Sequence, residues 1–243
     1  MADDELILGH RNSEWTGLGP VMEEDIAFSS MAQDKIGHAW ALYRILQEHL
    51  GGEDPDAFAF LRAADKYTCC HLVEQPNGSY DFSLVRHFLF DHAEAVRYEA
   101  LLESSFVPLQ QLARKIRGEL KYHTLHADAF MIQLGNGNDS NERMQQALNT
   151  CLPMAFGIFE RDHTNDQLLM DEGITPGEEF LQLAWLEQIA PVIAKAGLQL
   201  PTLKAMGSID AYYGGRSGRH TPYLGPLLEE MGAVFRLDPQ ATW

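Results

Sequence analysis

The chain has 243 residues, 35 of them acidic and 18 basic, which gives a formal charge of −17. That balance excludes nucleic-acid binding through general electrostatics, because neutralising phosphates needs a clustered Lys/Arg surface. No apolar run reaches the roughly 20 residues of a membrane span, and the acidic start Met1-Ala2-Asp3-Asp4-Glu5 is unlike a signal peptide. Cys69, Cys70 and Cys151 are too few for a disulfide framework, so a cytoplasmic protein with reduced thiols is expected.

Helical signals dominate the chain. Residues 22–50 read as one long helix stopped by Gly51-Gly52. Asp54-Pro55 caps a shorter helix to about Ala64. Residues 67–75 are ambiguous, and Gln75-Pro76-Asn77-Gly78 is a turn. Asp81 is placed to cap a second long helix to about Ser104, and Pro108 opens a third to about Leu134, closed by Gly135-Asn136-Gly137-Asn138. Ser140 begins a helix to about Glu160, and Thr175-Pro176 starts another, kinked or broken near Pro191. A last helix covers about Tyr223 to Arg236, after a Gly-rich loop over Gly207–Thr221. Strand-like alternation is nearly absent and no linker marks a boundary. The fold class expected is all-α, in a single domain over residues 1–243.

Polar residues on apolar helix faces are the informative ones. At about 100° per residue, Lys35 falls on the stripe of Phe28, Met31, Ala32, Ala39, Leu42 and Leu46, with His38 at its border. Asp91 falls on the stripe of Leu84, Phe88, Ala95, Tyr98 and Leu102, and His123 borders the stripe that carries Leu120. A lysine and an aspartate in such places are costly unless paired.

Spacing connects these positions. Lys35 follows Glu5 by 30 residues, Leu120 follows Asp91 by 29, and each is three residues before a histidine, His38 or His123. The unit is therefore a helix bearing a carboxylate, then a helix bearing x-x-x-His, and it occurs twice. A four-helix bundle that holds two irons has this layout, with Glu-x-x-His on two of its helices. Here both of those glutamates are absent, replaced by Lys35 and Leu120. Two irons need several anionic oxygen ligands, and an ammonium repels them. A buried Lys35–carboxylate pair and no di-iron centre are expected of this chain. A single helical histidine is more often structural, and a lysine can snorkel to water, but the duplicated spacing weighs against coincidence.

Further motifs sit beside these. They are Glu14-Trp15, Gln33 to His38, Val73-Glu74-Gln75-Pro76-Asn77-Gly78, Phe88-Leu89-Phe90-Asp91, Tyr122-His123, Gly214 to Thr221 and Ala241-Thr242-Trp243. Together they resemble the PaaC family, the non-catalytic ferritin-like structural subunits of bacterial phenylacetyl-CoA epoxidase. The resemblance implies a ferritin-like helical bundle, four helices at the core with additional ones. The degenerate di-iron-type part would lie in about residues 3–135 and the extra C-terminal helices in about 140–243. It implies no cofactor in this chain, and a partner, the catalytic subunit PaaA, that keeps its di-iron ligands and epoxidises the aromatic ring with O₂. A small subunit, PaaB, and a reductase complete the assembly. The vestigial metal-site positions would be Glu5, Lys35, His38, Asp91, Leu120 and His123.

Two basic clusters are candidate contacts for a partner or for the phosphates of CoA near a subunit interface. Arg114, Arg117 and Lys121 share one face of a helix, with Lys115 beside them, nearly opposite Ile116, Leu120 and His123. Arg216 and Arg219 lie in the Gly-rich loop. The bland alternatives are a solvated helix face and a structural loop. Two rival functions remain: an oxidase that uses Glu5, His38, Asp91 and His123 with unusual ligands, and a helical homo-oligomer without a catalytic partner. The isolated chain is also a candidate homodimer.

Overall fold

A computed structural model describes residues 1–201, 210–239 and 241. Residues 207–209 of the Gly-rich loop, and Thr242 and Trp243 of the terminal motif, lie outside the described residues. Among those described there is no strand, and the fold is all-α, of the ferritin-like class. No helix is long and apolar enough to cross a membrane among the described residues. The chain forms two compact units, Met1–Asn77 with Gly214–Trp243, and Gly78–Tyr213.

The first unit is built on two helices, α1 (Ala2–Ser13) and α2 (Met22–Leu50). The close approach of the pair is marked by Gly9, where a Cβ would stand 2.9 Å from Ile36 Cγ1 and 3.3 Å from the Ala32 carbonyl oxygen. The buried stripe of α2 follows its periodicity through Phe28, Met31, Ala32, Lys35, Ala39 and Leu42, while Leu46 at its end is half-buried. α2 stops at Gly51, whose φ of 71° is left-handed and suits only a residue without Cβ. The Asp54 carboxylate then accepts from Asp56 N–H at 2.9 Å and caps α3 (Pro55–Phe60). α3 is shorter than the expected helix to Ala64; a turn and a single 3₁₀ turn over Ala64–Lys66 follow it. The ambiguous stretch contains a one-turn helix, α4 (His71–Glu74).

The second unit is organised around α5 (Tyr80–Ala100), which is buried on nearly every face. It packs on α6 (Val107–Gly135), α7 (Asn141–Ala155) and α9 (Glu178–Lys195), with α8 (His163–Asp171) between the last two in sequence. Ser79, not Asp81, is the residue before α5. α7 ends five residues before the expected Glu160. Pro153 lies in its last turn, the chain tightens into a 3₁₀ turn over Phe156–Phe159, and Tyr212 N–H takes up the Pro153 carbonyl at 3.1 Å. Trp185 on α9 is fully buried against Phe156 and Phe159 and donates its indole N–H to the Leu89 carbonyl at 2.9 Å. Arg97 closes the end of α5 onto the start of α9 through a two-pronged pair with Glu178, at 2.6 and 2.7 Å. The last helix, α10 (Leu224–Gly232), belongs to the first unit and is extended by a 3₁₀ turn, Phe235–Leu237.

Candidate functional site

In the first unit, Glu5 comes from α1 and Lys35 and His38 from successive turns of α2. All three are buried, Lys35 at 0% and Glu5 at 1% exposure. Lys35 Nζ lies 3.6 Å from Glu5 Oε2, and His38 Nδ1 lies 3.3 Å from Glu5 Oε1. One carboxylate is thus shared by an ammonium and an imidazole. The buried Lys35–carboxylate pair expected from the sequence is present, and Glu5 is its acid.

In the second unit, Asp91 comes from α5 and Leu120 and His123 from α6, all buried. His123 Nδ1 is 3.8 Å from Asp91 Oδ1. Two histidines absent from the sequence-based set join them. His87, one turn before Asp91, sets its Nδ1 against the Asp91 carboxylate in ion-pair contact. His126, one turn after His123, stacks edge-on to His87 at 5.6 Å between ring centroids. Burial pushes the His87 imidazole down to about 4, helped by the nearby His126 and His123 rings and only partly countered by Asp91. His87 is therefore neutral at pH 7. Its signal was available in the sequence as the i, i+4 spacing to Asp91, a helical neighbour pair.

Neither donor set fits a di-iron centre. In the first unit the position three residues before His38 presents an ammonium, which repels a cation and has Glu5 as an ion-pair partner. In the second the matching position is Leu120, which has no donor atom and is 2% exposed. Bridging carboxylates are what two adjacent ferrous or ferric ions require, and both are missing.

The basic residues divide in two. Arg114, Lys115, Arg117 and Lys121 are exposed along α6 while Ile116, Leu120 and His123 are buried, as their helical positions predict. Arg117 pairs with Glu99 at 3.1 Å. A cavity of about 290 Å³ opens here, lined among others by Tyr98, Arg117, Leu120, Lys121, Thr124 and Gln188. Arg216 is used internally: Nη1 lies 2.6 Å from Asp4 Oδ2 and 2.7 Å from the Thr68 carbonyl oxygen. Arg219 is exposed and its carbonyl bonds His71 Nε2 at 2.7 Å.

Arg216 belongs to a network that sequence reasoning missed. Asp3 and Asp4, read as part of an acidic N-terminus, are buried at 4% and 3% exposure. Asp3 accepts from Tyr43 O–H at 2.5 Å, Arg62 at 2.5 Å and Thr68 N–H at 2.7 Å. Asp4 accepts from Cys70 N–H at 2.8 Å. Burial opposes ionisation of both, but Arg62 with the Tyr43 and Thr68 hydrogen bonds at Asp3, and Arg216 with the Met1 amino group, 3.3 Å away, and Cys70 N–H at Asp4, together outweigh it and hold both carboxyls below the usual range.

The family described as phenylacetic acid catabolic protein matches residues 1–243. The chain is 32% identical over 244 aligned positions to one of the subunits of the 1,2-phenylacetyl-CoA epoxidase of Escherichia coli (strain K12), covering 100% of this chain and 96% of that protein. The chain belongs to the phenylacetic acid catabolic protein family.

Proposed function

We propose that this member of the phenylacetic acid catabolic protein family is the structural, non-catalytic subunit of a multicomponent phenylacetyl-CoA epoxidase in aerobic phenylacetate degradation. One observation carries the reading: a fully buried ammonium, Lys35 Nζ, 3.6 Å from Glu5 in the first unit. A charge of that sign has no use at a metal centre, and it neutralises a carboxylate that the fold would otherwise offer to iron. Leu120 makes the same point in the second unit. The Escherichia coli relative is by its name one subunit of an epoxidase, which supports a chain that works within an assembly; in this reading its catalytic partner, PaaA in that family, holds the irons. PaaB and a reductase complete the complex.

In this reading the chain contributes a stable helical surface. Its exposed apolar residues on α2, Met22, Ile26 and Trp40, and the basic face of α6 are the candidate contacts. The cavity beside Arg117 and Lys121 is the place where CoA phosphates would find cations near an interface. Co-expression of the chain with the catalytic paralogue tests the proposal. The expected result is a stable complex whose iron follows the paralogue, and whose activity on phenylacetyl-CoA falls when this chain is omitted. Two irons bound by this chain alone, or a paralogue equally stable and active without it, would overturn the reading.

A further inference from the structure

Away from the two carboxylate–histidine sets, the first unit brings a thiol, a carboxylate and an imidazole together. Cys69 precedes α4, Glu74 ends it, and His220 comes from the Gly-rich loop. Cys69 Sγ lies 3.7 Å from Glu74 Oε1 and 3.9 Å from His220 Nδ1, and those two atoms are 2.7 Å apart. Cys69 and Glu74 are fully buried, and the His220 ring is 6% exposed.

The atoms that point away from this centre are already held. His220 Nε2–H donates to the Tyr67 carbonyl at 2.9 Å, and Glu74 Oε2 accepts from Thr221 N–H at 2.7 Å. A carbonyl on the far ring nitrogen and a donor on the far carboxylate oxygen are the supports that metal-ligating histidines and carboxylates carry. Here they leave Nδ1, Oε1 and Sγ facing one another, all within 4.8 Å.

We propose that Cys69, Glu74 and His220 form a binding site for a borderline-soft divalent cation of the zinc class, with water completing a four-coordinate shell.

The required movement is small. Ligands at about 2.0–2.3 Å from zinc stand roughly 3.3–3.6 Å apart in a tetrahedron. The two sulfur distances need to close by a few tenths of an ångström, and Nδ1···Oε1 to open by about 0.6 Å, within reach of side-chain rotation. Charge also balances. Without a cation both ring nitrogens face oxygens, so the set is an imidazolium, a carboxylate and a neutral thiol. Binding sends the Nδ1 proton and the thiol proton to solvent and leaves thiolate, carboxylate and neutral imidazole around a dication. The sum is zero in both states, which avoids burying net charge. Burial, then the Glu74 charge, holds the Cys69 thiol protonated in the empty set; a coordinated cation reverses that.

The test uses the full-length chain, reduced, stripped with EDTA and titrated with Co²⁺ without air. One equivalent should bind with a near-ultraviolet thiolate-to-cobalt charge-transfer band and the strong visible bands of four-coordinate cobalt, and Zn²⁺ should displace it. Cys69→Ser should remove the charge-transfer band, while Cys70→Ser and Cys151→Ser keep it. His220→Gln should weaken Co²⁺ binding by more than the ~10–100-fold typical of a lost outer-shell partner. A wild-type chain without that band at millimolar Co²⁺ would overturn the proposal. So would a band that disappears with Cys70→Ser or Cys151→Ser but survives in Cys69→Ser.

Discussion

Removing the Lys35 side chain as Lys35→Ala deletes one partner of a fully buried ion pair. At 3.6 Å, and with an effective dielectric constant of about 20, the attraction between the two charges is roughly 4–5 kcal/mol. Desolvation of both groups offsets much of that in the intact pair, but in the variant Glu5 keeps its own desolvation cost. Breaking a buried pair from one side costs about 3–5 kcal/mol. His38, 3.3 Å from the same carboxylate, supports Glu5 and places the expectation near ~3 kcal/mol. For a chain of this size that corresponds to a fall in Tm of about 6–12 °C. Differential scanning calorimetry and urea unfolding at pH 7 read it. The paired change Lys35→Met with Glu5→Gln should recover most of the loss, because it leaves no buried charge behind. Lys35→Ala melting within ~1 °C of wild type, or a double variant as unstable as the sum of its singles, would refute the reasoning.

Other expectations follow from the same geometry. Asp3 and Asp4, held below 3.8 by Arg62 and Arg216 against the cost of burial, contribute stability that is present above pH 3.8 and lost as pH falls through their folded-state values. Arg216→Met should therefore flatten the acid limb of an unfolding titration and cost about 1.5–3 kcal/mol at pH 7. His220 behaves in the opposite sense in the metal-free chain. Burial of its ring opposes the charge, but Glu74 and the Tyr67 carbonyl outweigh it and raise the imidazole above 6.5. That stabilisation is complete below pH 6.5 and is lost as pH rises through the folded-state value, a dependence His220→Gln should abolish. Gly215→Ala would set a Cβ 2.2 Å from the Cys69 carbonyl oxygen; overpacking of that kind costs about 1–3 kcal/mol, measurable as a lower Tm. Charge reversal at Arg117 and Lys121, both exposed, loses only the exposed Arg117–Glu99 pair, so Tm should fall by no more than about 2–4 °C, while association with the catalytic paralogue slows, seen as a lower on-rate in a binding assay.

The residues that could be placed from the sequence are those whose partners lie on the same or the adjacent helix. Period and stop residues locate α2, α5 and α6, and the doubled spacing locates Glu5, Lys35, His38, Asp91, Leu120 and His123. Helix ends were less readable where the last turn tightens, as after Pro153. The polar residues missed are those satisfied from afar. Asp4 pairs with Arg216, 212 positions away, as well as with the Met1 amino group, and Glu74 bonds His220, 146 positions away. No local pattern distinguishes such an aspartate from a solvated one. His87 differs: its partner Asp91 is one helical turn away, but the pair lies outside the Glu-x-x-His spacing.

The first unit is made from both ends of the chain, and the second from its middle. Translation therefore delivers Gly78–Tyr213 entire while Asp4 and Glu74 still await Arg216 and His220. A contact between positions so far apart closes late, because the intervening chain must first lose its conformational freedom. Until then Asp4 and Glu74 lack the side chains of residues 216 and 220 that they bond in the folded unit, so the first unit is the later of the two to close.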